Sequence, residues 1–128
     1  MNNRTKTILH WVLAGVVAFV FIGSGSFKLM GGNEEMVKGL GGLAHLRILG
    51  SLELIIAVLF LIPRTGVVGA LLGMAYMGGA IAVHFIFGQP LLVVLVIEAL
   101  IWIVSALRFP ELKQRLFRTY PPATGAVN

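Results

Sequence analysis

The chain contains no cysteine and no aspartate. Without cysteine there can be no disulfide, thiol relay, thiolate metal site or iron–sulfur cluster. Without aspartate, carboxylate chemistry falls to Glu34, Glu35, Glu53, Glu98 and Glu111. Charge of either sign is scarce: Asp, Glu, Lys and Arg make up 12% of the 128 residues, about half of the roughly 25% usual in a soluble domain. No Glu-x-x-His or His-x-x-x-His pair occurs, so a bound metal is not expected and haem ligation has little to rest on. Nor is there a phosphate-binding glycine loop, a dinucleotide fingerprint or a Ser–His–acid nucleophile set.

What fills the chain instead is apolar. Hydrophobic residues are 58% of the total and gather into four stretches, residues 8–27, 46–62, 67–87 and 91–107. A bilayer core takes about 20 apolar residues as helix, with about 17 as the lower limit. The expectation is an all-α membrane protein: a four-transmembrane-helix bundle at residues 1–107, a short interfacial segment in the first outer loop, and a basic C-terminal tail at 108–128. The length leaves no room for a separate soluble catalytic module. Arg4 and Lys6 before the first apolar run, and the small residues Gly23 to Ser26 after it, would also suit a secretory signal. The run is long for one, and a retained first helix is expected.

The flanking charges predict an orientation. With both termini cytoplasmic, the inner side carries Arg4, Lys6, Arg64, Arg108, Lys113, Arg115 and Arg118, against Lys28, Lys38 and Arg47 outside, where Glu34 and Glu35 dilute them. The positive-inside rule therefore favours an integral protein of the cell (inner) membrane with both ends in the cytoplasm. The net charge of +5 is not a nucleic-acid signal. Leu112, Leu116 and Phe117 form an apolar stripe opposite the basic residues of the tail, the pattern of a short helix on anionic lipid.

Between the spans, Pro63 to Gly66 makes a tight inner turn and Gly88-Gln89-Pro90 a tight outer one. The first outer loop is longer, and residues 34–40 are expected to form a short helix that can cap a cavity. The third apolar stretch is rich in small residues. Gly69-x-x-x-Gly73 and Ala75-x-x-x-Gly79 suit close helix approach, within the bundle or across a homodimer.

Two of the apolar stretches carry a glutamate, which costs about 2.5–3.5 kcal/mol at bilayer depth on insertion scales. Helical spacing aligns Gly50, Glu53 and Ala57 on the second stretch, Gly73, Met77, Ala80 and His84 on the third, and Glu98, Trp102 and Ser105 on the fourth. Lys28 closes the first. At 1.5 Å per residue, Glu53 and Glu98 lie about 10 Å, and His84 about 5 Å, below the outer helix ends. Lys28 can reach inward along its stem and neutralise one carboxylate. The expected pairing is Glu53 with His84, as carboxylate and imidazolium, because neither can sit alone at such depth.

Several of these residues fall in segments that resemble the DoxX-like family. Residues 21–29, Phe-Ile-Gly-Ser-Gly-Ser-Phe-Lys-Leu, resemble the end of that family's first helix. Arg47-Ile48-Leu49-Gly50-Ser51-Leu52-Glu53 resembles its Gly-x-x-Glu signature, and Pro63-Arg64 and Met77-x-x-Ala80-x-x-x-His84 resemble its turn and third-helix motif. The resemblance runs over about residues 8–107, and the fourth stretch, with Glu98, adds nothing distinctive to it. It implies a four-helix membrane bundle with Lys28, Glu53 and His84 at family positions. Relatives include subunits associated with thiosulfate:quinone oxidoreduction, proteins of quinone or oxidant resistance, and a receptor-assembly chaperone, so the fold carries over better than the function.

The function expected is a small membrane component of a quinone-linked redox system, an accessory to an oxidoreductase. A lipophilic, quinone-like molecule would lie among the last three spans. Lys28, Gly50, Glu53, Met77, His84, Glu98 and Trp102 would bind it, with Glu53 and His84 the candidates for proton exchange and Met74 and Phe87 completing the apolar side. With no cysteine to carry electrons, a soluble or membrane redox partner or a bound cofactor must do so. The alternatives are a non-catalytic assembly factor or subunit scaffold, and a small transporter.

Overall fold

The computed structural model describes residues 2–117. The expected tail beyond Phe117, including Arg118, lies outside the described residues. Six helices follow in order: α1 Asn3–Leu29, α2 Glu34–Gly39, α3 Leu43–Leu61, α4 Gly66–Ile86, α5 Leu92–Arg108 and α6 Pro110–Phe117. The four long helices cover the four apolar stretches except for single end residues, Ile62, Phe87 and Leu91. α1 runs beyond its stretch because polar residues cap it: the Asn2 side chain accepts from the Thr5 N–H at 2.9 Å, filling one of the orphan donors of a helix start.

The breaks between helices are local in origin. α1 ends at Met30 and Gly31, where the Gly32 N–H returns to the Phe27 carbonyl at 2.9 Å. That closure needs a left-handed residue, and Gly31 supplies it with φ 112°. α4 ends the same way, with Gln89 N–H on the His84 carbonyl at 2.8 Å and Gly88 at φ 65°. In the first loop Asn33 caps α2 through the Met36 N–H at 2.9 Å, and Glu34 and Glu35 lie in its first turn, where the helix dipole favours negative charge. Pro110 holds Phe109 extended, so α5 stops and α6 leaves it at 110°.

α1 packs on α3 most extensively, α3 on α4, α4 on α5, and α5 back on α1. This closed ring of four helices buries Phe21 of α1, Ile56 and Phe60 of α3, Ala70 and Met77 of α4, and Ile101 and Val104 of α5. Outside the ring, large apolar side chains face outward on every long helix, among them Phe19, Ile55, Leu71 and Val96. An all-round apolar exterior of this kind is stable against hydrocarbon and not against water. The molecule is an all-α membrane bundle. α1, α3 and α4 are long and apolar enough to cross a bilayer, and a fourth crossing arises if α5 and the bent α6 are taken as one span. At 17 residues α5 alone is about 25 Å long, short of a hydrocarbon core of about 30 Å.

Glycine decides how closely the helices approach. A Cβ on Gly25 would stand 2.8 Å from the Gly50 carbonyl, and one on Gly50 would stand 2.6 Å from the Gly25 carbonyl. α1 and α3 therefore cross backbone to backbone. On α4, Gly69 abuts the α3 backbone at Phe60, and Gly73 meets Ile56 and Ile101 at 3.5 and 3.6 Å. The second expected small-residue pair behaves differently. Ala75 and Gly79 are exposed, and open space surrounds Gly78 and Gly79, so this pair packs against nothing within the bundle.

The end of α3 accounts for its carbonyls in full. Val58 accepts from the Ile62 N–H at 3.2 Å. Leu59 has lost its usual donor because Pro63 lacks an N–H, and the Thr65 hydroxyl donates to it instead at 2.9 Å. Arg108, from the end of α5, donates to the carbonyls of Phe60 and, at 2.8 Å, Leu61. Its guanidinium also lies 4.7 Å from the Trp11 ring and 5.0 Å from the Phe109 ring. Arg108 thus ties α1, α3 and α5 together at one end of the bundle, a role that reading it as tail charge did not foresee.

Candidate functional site

The Gly25–Gly50 crossing sets up a polar site near the middle of α3 and α4. Lys28 lies three residues beyond Gly25 on α1, and Glu53 three beyond Gly50 on α3, nearly one turn in each case. With the two backbones in contact, the side chains meet. Lys28 Nζ forms a salt bridge to Glu53 Oε1. It also donates to Ser24 Oγ at 3.1 Å and Tyr76 Oη at 3.3 Å. Tyr76 Oη donates to the same Glu53 Oε1. The Phe21 ring packs against the Tyr76 ring at 6.0 Å between centroids. Ser24, Lys28, Glu53 and Tyr76 thus form one connected polar cluster on α1, α3 and α4.

The two oxygens of Glu53 differ sharply. Oε1 accepts from both Lys28 and Tyr76, while Oε2 is buried with no hydrogen-bond partner. The residue is only 3% exposed. Burying an ion pair costs several kcal/mol per ion in desolvation, offset only by good geometry and further hydrogen bonds. The ammonium uses all three of its protons; the carboxylate is half satisfied.

His84 is not part of this cluster. Its Nδ1 lies 2.8 Å from the carbonyl of Ala80 on its own helix, and no hydrogen bond or ion pair joins it to Glu53. The expected Glu53–His84 pair is thereby replaced by Lys28–Glu53–Tyr76. The reason is level. α3 and α4 are antiparallel neighbours, Glu53 is ten residues from Leu43 and Tyr76 ten from Ile86, so both lie about 15 Å from the same end. His84 is two residues from that end, about 3 Å. Counting levels from both helix ends would have found Tyr76.

The other candidates separate. Gly50 is buried against α1, and Met77 lies in the core at 5% exposure. Met74 packs at the edge of the core, whereas Phe87 and Trp102 face outward. Glu98 and Trp102 do meet: the indole N–H donates to Glu98 Oε1 at 3.1 Å, and Glu98 Oε2 is buried and unpartnered. This second polar pair shares no hydrogen bond with the first. Ser105, on the same stripe, is buried and donates to the Ile101 carbonyl of its own helix at 2.6 Å. Among the described residues no three His, Asp or Glu side chains gather to hold a metal ion. A hollow of about 330 Å³ lies at the α1–α2 loop, lined by Gly31, Gly32, Asn33, Glu34, Val37 and Lys38.

A closed ring of apolar helices with a Lys–Glu–Tyr cluster around a buried mid-helix glutamate defines a small helical membrane protein with a polar interior. Residues 12–107, most of the chain, match the DoxX-like family. The chain belongs to that family. No curated protein and no solved structure matches it.

Proposed function

We propose that this protein is a four-span component of a quinone-linked redox system in the cell (inner) membrane, with both termini cytoplasmic, and that the Lys28–Glu53–Tyr76 cluster holds the polar head of a lipophilic, quinone-like molecule. The observation that carries the reading is the buried Glu53 carboxylate with one oxygen doubly hydrogen-bonded and the other unpartnered. An intramembrane ionisable residue of this kind is by default a functional one, and its unpartnered oxygen fits a ligand that brings its own hydrogen bond.

A quinone supplies two-electron, two-proton chemistry when bound. This chain's residues contribute position and a proton acceptor. Lys28 and Tyr76 fix the carboxylate through Oε1, which leaves Oε2 for the incoming group. Lys28 and Tyr76 are the partly exposed members, so the head reaches Glu53 past them. Electrons are exchanged with a redox partner, soluble or in the membrane.

The test is extraction in mild detergent followed by analysis of the bound lipid. Co-purifying quinone, diminished in Lys28→Met, is the expected result. A second reading, a non-catalytic assembly factor or scaffold, is favoured by the outward face of Ala75, Gly78 and Gly79 on α4, where a partner helix or a second copy could approach closely. A stoichiometric protein partner with no bound quinone would replace the first reading by this one.

A further inference from the structure

Resting on that reading, we infer that the site selects the reduced, hydroxyl-bearing form of its ligand: it binds a hydroquinone in preference to the corresponding quinone. The hydrogen-bond inventory around Glu53 leads there. Lys28 has three protons and three acceptors, Ser24 Oγ, Glu53 Oε1 and Tyr76 Oη. The single phenolic proton of Tyr76 goes to the same Oε1. The cluster's ammonium and phenol therefore have no donor left for Oε2, which is buried and unpartnered.

A carboxylate oxygen accepts and cannot donate. Whatever fills the place beside Oε2 must bring an O–H or N–H. A hydroquinone hydroxyl does so and forms a charge-assisted bond, among the stronger hydrogen bonds available in a low-dielectric site. A quinone carbonyl is itself an acceptor and would set one lone pair against another. The surroundings sharpen the difference, because Phe21 and the apolar helix faces carry no donor, and the one further O–H of the cluster, that of Ser24, lies on the far side of the Lys28 ammonium that it accepts from. A water molecule seated on Oε2 would abolish the selectivity, since water donates to the carboxylate and still has a proton for a carbonyl.

The experiment is equilibrium binding to the full chain in lipid nanodiscs under anaerobic conditions. Three probes share one ring: a short-chain 1,4-benzoquinone, its hydroquinone, and the hydroquinone di-O-methyl ether, which keeps the ring and loses both donors. Expected is hydroquinone binding about tenfold or more tighter than either other probe, the scale of one hydrogen bond to a charged group. In Glu53→Gln the side-chain carbonyl can keep the bonds from Lys28 and Tyr76 while the amide N–H₂ takes the place of Oε2. The preference should then invert in favour of the quinone. Equal affinity of the native protein for all three probes overturns the selectivity and leaves the quinone reading standing. Binding of none of them overturns both. The comparison of the three probes on the native protein decides the question even if Glu53→Gln does not fold.

Discussion

Lys28 of α1 and Glu53 of α3 form a largely buried salt bridge beside the point where their helices cross on Gly25 and Gly50. The close crossing and the ion pair depend on each other. Bulk at either glycine would push the helices apart and separate the charges. The charges in turn oblige the helices to meet in one register, because neither ion can be left alone in the bundle.

Removing one partner should therefore be worse than removing both. Lys28→Met leaves Glu53 as an uncompensated buried charge and should cost about 3–5 kcal/mol, while the double variant Lys28→Met with Glu53→Leu should recover most of the loss. Melting temperature in detergent reads the cycle. Additive losses would show that the two side chains do not act as a pair.

The glycines should divide into two groups. Gly50→Ala puts a methyl 2.6 Å from the Gly25 carbonyl, and Gly73→Leu overfills the contact with Ile56 and Ile101; each should lose about 1–3 kcal/mol. Gly79→Ala, in open space, should leave melting unchanged or raise it slightly through helix propensity. A loss at Gly79 as large as at Gly50 would reveal a partner helix on the outer face of α4.

Tyr76 and His84 should separate in their effects. Tyr76→Phe deletes a hydrogen bond to a buried carboxylate and should cost about 1.5–3 kcal/mol, and any co-purified quinone should be lost with it. His84→Gln should stay within about 0.5 kcal/mol and retain the quinone. Loss of quinone in His84→Gln with retention in Tyr76→Phe would move the ligand to the C-terminal end of α4.

Arg108 holds the far end of the bundle. Arg108→Ala strips the donors from the carbonyls of Phe60 and Leu61 and should cost about 1–3 kcal/mol for each buried group left unsatisfied. Arg108→Lys should recover only part, because a compact ammonium cannot span two carbonyls as the guanidinium fork does. Full recovery by lysine would mean that charge alone matters there.

The absence of cysteine makes topology directly measurable. Single cysteines at Asn2 and Asn33 should respond oppositely to an impermeant thiol reagent applied to intact cells. Labelling at position 33 and protection at position 2 is expected from the flanking charges. The reverse pattern would invert the molecule and place the α1–α2 loop in the cytoplasm.

The existence and approximate limits of the four long helices were legible in the sequence. Each is an apolar run of near-membrane length, interrupted where Pro63, Gly66, Gly88 and Pro90 forbid helix or favour its end. The short α2 was legible as well, in an asparagine followed by two glutamates between glycines. Lys28 and Glu53 stood out for the same elementary reason, that charge in an apolar run is costly and must be compensated. The hydrophobic pattern and the cost of a lone charge thus determined, without any structure, that this chain folds as membrane helices and that Glu53 needs a partner. Which partner it takes was decided only in three dimensions. His84 was the more conspicuous residue, but Tyr76 stands at the level of Glu53 on the antiparallel neighbour. Likewise Arg108 belonged by sequence to a basic tail and became a cap for α3 because α5 ends beside it. Helical periodicity constrains which residues share a face, but not how far one helix slides along another. That offset is set by the whole packed interface, here by the backbone contact of Gly25 with Gly50.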